Sequence, residues 1–551
     1  MKIFQSAIIV ILLLTSCGRQ TLSDSGAGAP RIVNIVNFIR QLEPRTDDPG
    51  MMQDILYETV VEQMKQLKQY GLPGTFLLQY DALLNPKYQT LLKNELTPGS
   101  EVGAWWEITQ PHVEAVGLVW RGRFPWDWHA NVGFSTGYTP EEREKLVDEY
   151  MEKFKSIFGK YPASVGSWFI DAHTLGYMYD KYKIIASCNC KDQVGTDGYT
   201  LWGGYWNQAY YPSRKNAYMP AQTETGQIPV PIFRMLGSDP IYQYDMGLGS
   251  KHQSVVTLEP AYQKGGGERS WVEWFFRSMF DEPCLAFNYV QAGQENSFTW
   301  AAMRKGLEIQ IPLLDSLCRQ GKVRVETLET SGRWFRENYP LTPPTAVTAM
   351  SDYRNQGNKT VWYNSRFYRV NLIWEGDSFR FRDIHLFDER MESDYLAKAL
   401  ESTQCIYTTL PVVDGFMWST HSEIAGLRLT DRDGNHPAVN APAVSELLDN
   451  VLQVEFSTVS KQTFRIVFYE DRFEMTCTKG AADWSLELET MSNAELPFRS
   501  VESNQIKASW NGFDYMVRFE KGIVEKTDNS VFRIKPSGRK IVINCDRNLQ
   551  S

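Results

Sequence analysis

From Arg31 to about Pro340 the chain alternates between short apolar runs and longer stretches in which apolar residues recur every three or four positions. Ile32–Ile39 is a β-branched run. Asp54–Tyr70 then places Leu56, Val60, Met64 and Leu67 at helical spacing and stops at Gly71 and Pro73. The same alternation predicts strands over Gly74–Leu78, Glu101–Trp106, Ser164–Ile170, Lys183–Cys188, Cys284–Val290 and Val323–Glu326. Helices are predicted over Tyr88–Leu96 and Leu175–Tyr182. Thr139-Pro140-Glu141-Glu142 reads as a capping box with proline at the first helical position, opening a helix striped by Leu146, Tyr150, Phe154 and Ile157. Strand–helix units in series imply parallel strands joined by right-handed crossovers. Seven or so such units suit a closed or nearly closed barrel. The expected class is α/β, a (β/α)7–8 barrel. No GxGxxG follows a strand and no P-loop is present, so a nucleotide fold is not indicated.

After Pro340 the pattern changes. Thr342-Pro343-Pro344 reads as a linker, and beyond it Thr360–Tyr368, Val370–Trp374, Ser378–Phe387 and Thr463–Tyr469 alternate between Gly, Asp and Asn turns. That is the signature of an antiparallel β-sandwich. The expected division is a barrel over 31–340 and a C-terminal sandwich over 345–551. Ahead of them, Lys2 and the short apolar run Ala7–Leu14 form a signal peptide over 1–17, too short to span a bilayer. Leu14-Thr15-Ser16-Cys17 resembles a bacterial lipobox, which implies lipidation at Cys17. The Gly/Ser/Ala-rich stretch 18–30 would be a flexible tether. A lipid anchor on Cys17 implies a protein of the bacterial cell envelope, periplasmic or on the outer membrane. The other seven cysteines include no CxxC pair and read as buried free thiols.

Composition narrows the partners. The 551 residues are 42% hydrophobic with a formal charge of −9, which argues against disorder. A pI of about 5.5 without a long basic run argues against nucleic acid. Of 17 tryptophans, eight fall between Trp105 and Trp206.

In barrels of this kind the chemistry sits at the C-terminal ends of the strands. Acidic residues occur at several predicted strand ends. Glu107 follows Trp105-Trp106, Asp171 follows Trp168-Phe169-Ile170, Asp197 lies in Gly195-Thr196-Asp197-Gly198, and Glu295 lies beyond Val290; Glu43 and Glu259 are further candidates. Carboxyl groups framed by aromatic rings suit carbohydrate chemistry. Sugar rings stack their C–H faces on aromatic planes, and glycoside cleavage needs one carboxyl as acid and another as base or nucleophile. Trp105, Trp106, Trp168, Trp202, Trp206 and Tyr205 are the candidate sugar platform. The plainer readings are helix capping for Asp171, a turn for Asp197, and core packing for the aromatic cluster. His112 and His173 lie near Glu107 and Asp171, so a divalent metal ion is a second possibility, although no cofactor is demanded.

The residues also resemble a known superfamily. Trp168-Phe169-Ile170-Asp171-Ala172-His173-Thr174 is similar to the strand-end motif of α-mannosidases, whose Asp is nucleophile and metal ligand. Glu101-Val102-Gly103-Ala104-Trp105-Trp106-Glu107-Ile108, running on to His112, is similar to the deacetylase segment Glu-Ile-Gly-x-His, and Gly71-Leu72-Pro73-Gly74-Thr75-Phe76 to its Ala-Thr-Phe-Phe segment. The chain thus resembles the glycoside hydrolase/deacetylase (β/α)-barrel superfamily, and as a whole resembles secreted bacterial lipoproteins that join such a barrel to a β-domain. It departs where deacetylases carry their aspartate pair: here Asn37-Phe38-Ile39-Arg40 stands. Trp106 or Glu107 stands where the first metal histidine would fall, and the mannosidase His-x-x-Asp opening is missing. The main expectation is a glycoside hydrolase acting on a poly- or oligosaccharide. A metal-dependent carbohydrate esterase and a non-catalytic glycan-binding lipoprotein are the alternatives.

Overall fold

The computed structural model describes residues 28–42, 48–527 and 530–546. Cys17, with the signal peptide around it, and Glu43 lie outside the described residues. The first strands are β1 (Arg31–Ile39), β2 (Thr75–Leu78), β3 (Glu101–Trp105), β4 (Ser164–Gly166) and β5 (Ala186–Asn189). After them come β6 (Tyr199–Trp202), β7 (Ala209–Tyr210), β8 (Ile232–Arg234), β9 (Asn288–Ala292) and β10 (Arg324–Glu326). The order β9-β1-β2-β3-β4-β5-β8 is parallel throughout. β10 pairs with the first half of β1, on the edge whose second half holds β2. β7 lies antiparallel to β8 in the gap before β9. There the Gln208 side chain accepts a 2.8 Å hydrogen bond from the Tyr289 backbone N–H, so a side chain completes a nearly closed barrel.

Residues facing the axis explain why the barrel is solid. Ile32, Val36, Phe38, Leu77, Trp105, Cys188 and Phe233 form one buried cluster. Trp105 stacks on Phe38 at 4.1 Å and fills the interior. Gly166 makes this possible, because a Cβ there would meet Leu77, Cys188 and the Trp105 ring within 3.0 Å.

Helices cover the outside: α1 (Pro49–Tyr70), α2 (Tyr80–Leu84), α3 (Pro86–Asn94), α4 (Gln110–Ala115), α5 (Pro140–Phe158), α6 (Ala172–Tyr182), α7 (Arg269–Phe280), α8 (Thr299–Arg319) and α9 (Leu328–Asn338). Both bonds of the Thr139–Glu142 capping box open α5. Two predicted strands are shorter than their apolar runs. β4 ends at Gly166 because the Ser167 hydroxyl bonds to the Trp106 and Phe169 carbonyls and the chain turns out of the ladder. β9 begins only at Asn288, because Cys284 and Leu285 pair instead with the strand Thr345–Ala349.

The C-terminal part is a β-sandwich of two antiparallel sheets of nine and eight strands. Trp374 and Phe379 of one sheet pack on Phe456 of the other, and Tyr363 packs on Phe468. Barrel and sandwich are locked together. β6 pairs in parallel with Cys405–Thr408, and Trp206 stacks flat on Trp362 at 3.8 Å. Asp192, just beyond β5, accepts from Arg234 of the barrel and from Arg369 of the sandwich; Arg369 also holds Asp383 at 2.7 Å. All seven described cysteines are buried, and no two of them are joined by a disulfide. Among the described residues no helix is long and apolar enough to cross a membrane.

Candidate functional site

A cavity of about 420 Å³ opens at the C-terminal ends of the barrel strands. Each wall is the continuation of a strand. Arg40 directly follows β1, Trp168 follows β4 by two residues, Lys191 follows β5 by two, and Glu295 follows β9 by three. Trp168 stands edge-on to Trp105 at 5.5 Å, so the aromatic plug of the barrel carries the floor of the cavity. Trp126 and Trp128 of the loop between α4 and α5, with Phe134, Tyr199, Tyr262 and Phe298, make the remaining walls largely aromatic.

The electrostatic centre is Arg40. Its guanidinium forms a fork on Glu107, at 2.9 and 2.5 Å, and reaches Glu295 at 2.6 Å. Bidentate pairing of this kind fixes both orientation and charge. Its outer face covers the Trp126 ring at 4.3 Å. Asn296 clamps the backbone on both sides, accepting from the Arg40 N–H and donating to the Arg40 carbonyl. Glu107 also accepts from Gln79 and from the Trp168 indole N–H, which saturates it. It is 1% exposed and lies behind Arg40, outside the cavity lining.

Glu295 lines the cavity. Burial pushes its carboxyl up to about 7, against the pull of Arg40 and with the push of Glu107. Glu259 is also buried, accepting from Thr257 and Gln294, and burial raises its carboxyl too. Asp197 is exposed at the rim, in left-handed backbone at φ 56° between Gly195 and Gly198.

The structure therefore brings together Asp197, Glu259, Glu295 and Trp168, and separates them from the other candidates. Asp171 is a correction. It is the N-cap of α6, bonding the Thr174 N–H, and is sealed by Ser135 and by Arg143 at 3.0 Å. Neither it nor Arg143 has measurable exposure. Trp105, Trp106, Trp202, Trp206 and Tyr205 are also corrected: none is more than 2% exposed, so none offers a ring face to a sugar. Trp202 donates to Asp414 and Tyr205 to the Pro343 carbonyl, holding the sandwich onto the barrel. His112 is buried against Tyr80 at 4.3 Å and bonds the Leu146 carbonyl, and burial lowers it to about 4. His173 pairs with Glu144 on the outside of the barrel. Neither histidine reaches the cavity.

Sequence reasoning missed Arg40, Lys191, Trp126 and Trp128. The first was visible as a cation standing where an aspartate pair was expected. The two tryptophans lie in a loop with no periodicity to mark them, held by the Asp127 carboxylate, which accepts from both Arg123 and the His129 N–H.

The fold is shared with a candidate glycoside hydrolase/deacetylase from Parabacteroides distasonis, at 14% identity and a TM-score of 0.51, over 69% of this chain and 90% of that one. The chain has the (β/α)-barrel fold of that structure. A candidate polysaccharide deacetylase from Mycobacterium smegmatis is more distant, at 12% identity and TM-score 0.36, covering 57% of this chain and 93% of its own. A family 4 acetyl xylan esterase from Clostridium thermocellum, solved with a cobalt ion, stands at 10% and 0.26, covering 56% and 94%. No family model and no curated protein matches the sequence. The donor set at the strand ends of this chain does not fit a divalent metal ion. Among the described residues no three His, Cys, Asp or Glu side chains converge in a way that could hold a metal. Where strand-end carboxyls Glu107 and Glu295 do approach one another, the Arg40 guanidinium binds both.

Proposed function

We propose that the strand-end cavity is the active site of a carbohydrate-active hydrolase. The observation that carries this reading is Glu295, a carboxyl brought to about 7 by burial inside an aromatic-walled cavity. Near neutral pH such a group exists in both protonation states, which is what a general acid or base requires. Trp126, Trp128 and Trp168 supply the faces on which a sugar ring stacks. Removal of an acyl group from a glycan is the first finer reading, supported by the fold relation to a candidate glycoside hydrolase/deacetylase. Glu295 would then take the proton of the water that attacks the ester or amide carbonyl, with Arg40 orienting its carboxylate. Cleavage of a glycosidic bond is the second reading. It is favoured by the presence of Glu259 and Asp197 in the same cavity as Glu295, since that chemistry needs two carboxyl groups.

Incubation of the purified chain with a panel of acetylated glycans and their deacetylated forms separates the two. Acetate release without new reducing ends identifies the acyl hydrolase, and new reducing ends identify the glycosidase. Binding with no product from any substrate would sink the enzymatic reading and leave a glycan-binding protein. Attachment to the cell envelope through Cys17 belongs to the same proposal, and a Cys17→Ser chain is expected to leave the membrane fraction.

A further inference from the structure

Among the described residues the buried arginines are each paired with a carboxylate, whereas the buried Lys191 has none at ion-pair distance. Arg40 holds Glu107 and Glu295, Arg143 holds Asp171, Arg234 holds Asp192, and Arg369 holds both Asp192 and Asp383. Lys191 is 1% exposed and lines the cavity, yet its ammonium touches only the Asp192 carbonyl and the Gln193 amide oxygen, both at 3.4 Å. Both are longer than an ordinary N–H···O hydrogen bond, and two neutral acceptors serve three donors. No described carboxylate lies within ion-pair distance of it, and Glu259 of the same cavity attracts it only from further away. The adjacent Asp192 carboxylate is already committed to Arg234, Arg369, the Tyr218 hydroxyl and the Gly203 N–H. A charge removed from water in this way is expensive unless something compensates it.

We infer that the missing partner is on the substrate, and that the cavity selects a sugar carrying one negative charge, with Lys191 receiving it. This rests on the carbohydrate reading above and narrows it. The ligand chemistry is a singly charged oxyanion on the sugar, either the carboxylate of a uronic acid or a sulfate ester. A doubly charged phosphate fits less well, because Lys191 can offset one negative charge while Asp197, Glu259 and Glu295 line the same cavity and repel any further one. Arg40 is not an alternative receiver, since its guanidinium is already committed to Glu107 and Glu295. Lysine suits the role as a compact point charge on a flexible stem, where arginine would impose a planar fork.

The test reads quenching of the cavity tryptophans in the full chain on titration with matched oligosaccharides: neutral, uronic-acid-containing and sulfated. The wild type is expected to bind one of the two acidic series at least tenfold more tightly than the neutral one, and which series it is distinguishes carboxylate from sulfate. Lys191→Met, close in length and apolar, is expected to erase that preference. Equal affinity for neutral and acidic sugars in the wild type would overturn the inference, whether or not the variant folds. So would an unchanged preference in a folded Lys191→Met chain. If no sugar binds but free acetate quenches the wild type and not the variant, the anion site stands as a binding site and the carbohydrate reading fails.

Discussion

Arg40 and Glu295 are coupled, and the coupling is testable on both sides. Glu295 titrates at about 7, above the ordinary carboxyl value of 4.5, because it is buried. A carboxyl raised on folding contributes stability that is fully present below about pH 4.5 and is lost as pH rises through about 7. Glu295→Gln keeps the size and cannot ionise. It is expected to flatten that part of the stability–pH curve, measured by thermal unfolding at a series of pH values between 4 and 8. The same substitution is expected to lower turnover by 10²–10⁴-fold, the usual contribution of a general acid or base. Retained turnover with an unchanged pH profile would remove Glu295 from the mechanism. Glu107 is held instead by four hydrogen bonds from Arg40, Gln79 and Trp168, which satisfy its two oxygens. Two strand-end carboxyls are thus divided by their partners: one orients Arg40, the other faces the cavity.

At the level of elements, Asp171 shows how a strand end can hold an acid for a structural reason. It caps α6 and also closes the charge of the buried Arg143, whose other bonds all go to backbone carbonyls, those of Ser135, Tyr138, Tyr395 and Lys398 among them. Losing a cap costs about 1 kcal/mol, whereas leaving a buried cation unpaired costs about 3–5 kcal/mol. Asp171→Ala is therefore expected to lower stability in urea by several kcal/mol while the folded fraction keeps its cavity; a stable but inactive variant would contradict this assignment. The sequence pattern was enough to place the barrel strands other than β8, the capping box of α5 and the sandwich, because those follow from local periodicity and from turn and capping residues; β8 is only three residues long and carries no such pattern. It also led to Glu295 and Asp197, since strand order alone carries them to the right end of the barrel. It misled at Asp171 and at the buried tryptophans because adjacency to a strand end does not say whether a side chain turns toward the mouth or toward a helix. Trp105 turns inward, against Phe38, and Trp206 turns toward Trp362. What decides those directions is contact between segments tens to more than a hundred residues apart, and no window of sequence contains both partners.

At the scale of the whole molecule, the sandwich helps to build the cavity. The segment from Lys191 to Trp206 contributes Lys191, Asp197 and Tyr199 to the lining, and nearly every anchor it has beyond the barrel belongs to the C-terminal half. β6 is paired to Cys405–Thr408, the Trp202 indole N–H donates to Asp414, the Trp206 N–H donates to Asn364, and Asp192 is held by Arg369. Removing the sandwich would expose the faces of Trp206 and Tyr205 and leave Asp192 with one guanidinium instead of two. A chain ending at Pro340 is accordingly expected to be insoluble, and the full chain to unfold in one transition, with tryptophan fluorescence and far-ultraviolet circular dichroism giving the same midpoint. Arg369→Met probes the joint more gently. It leaves Asp192 with Arg234 but leaves Asp383 with the Tyr244 hydroxyl and no guanidinium, so about 3–5 kcal/mol of stability should be lost. Because the lost contact also positions the segment that carries Lys191, the variant is expected to bind acidic sugars more weakly even at temperatures where it is fully folded. Two separate transitions in the full chain, or an Arg369→Met protein with unaltered stability and binding, would show instead that barrel and sandwich fold and work independently.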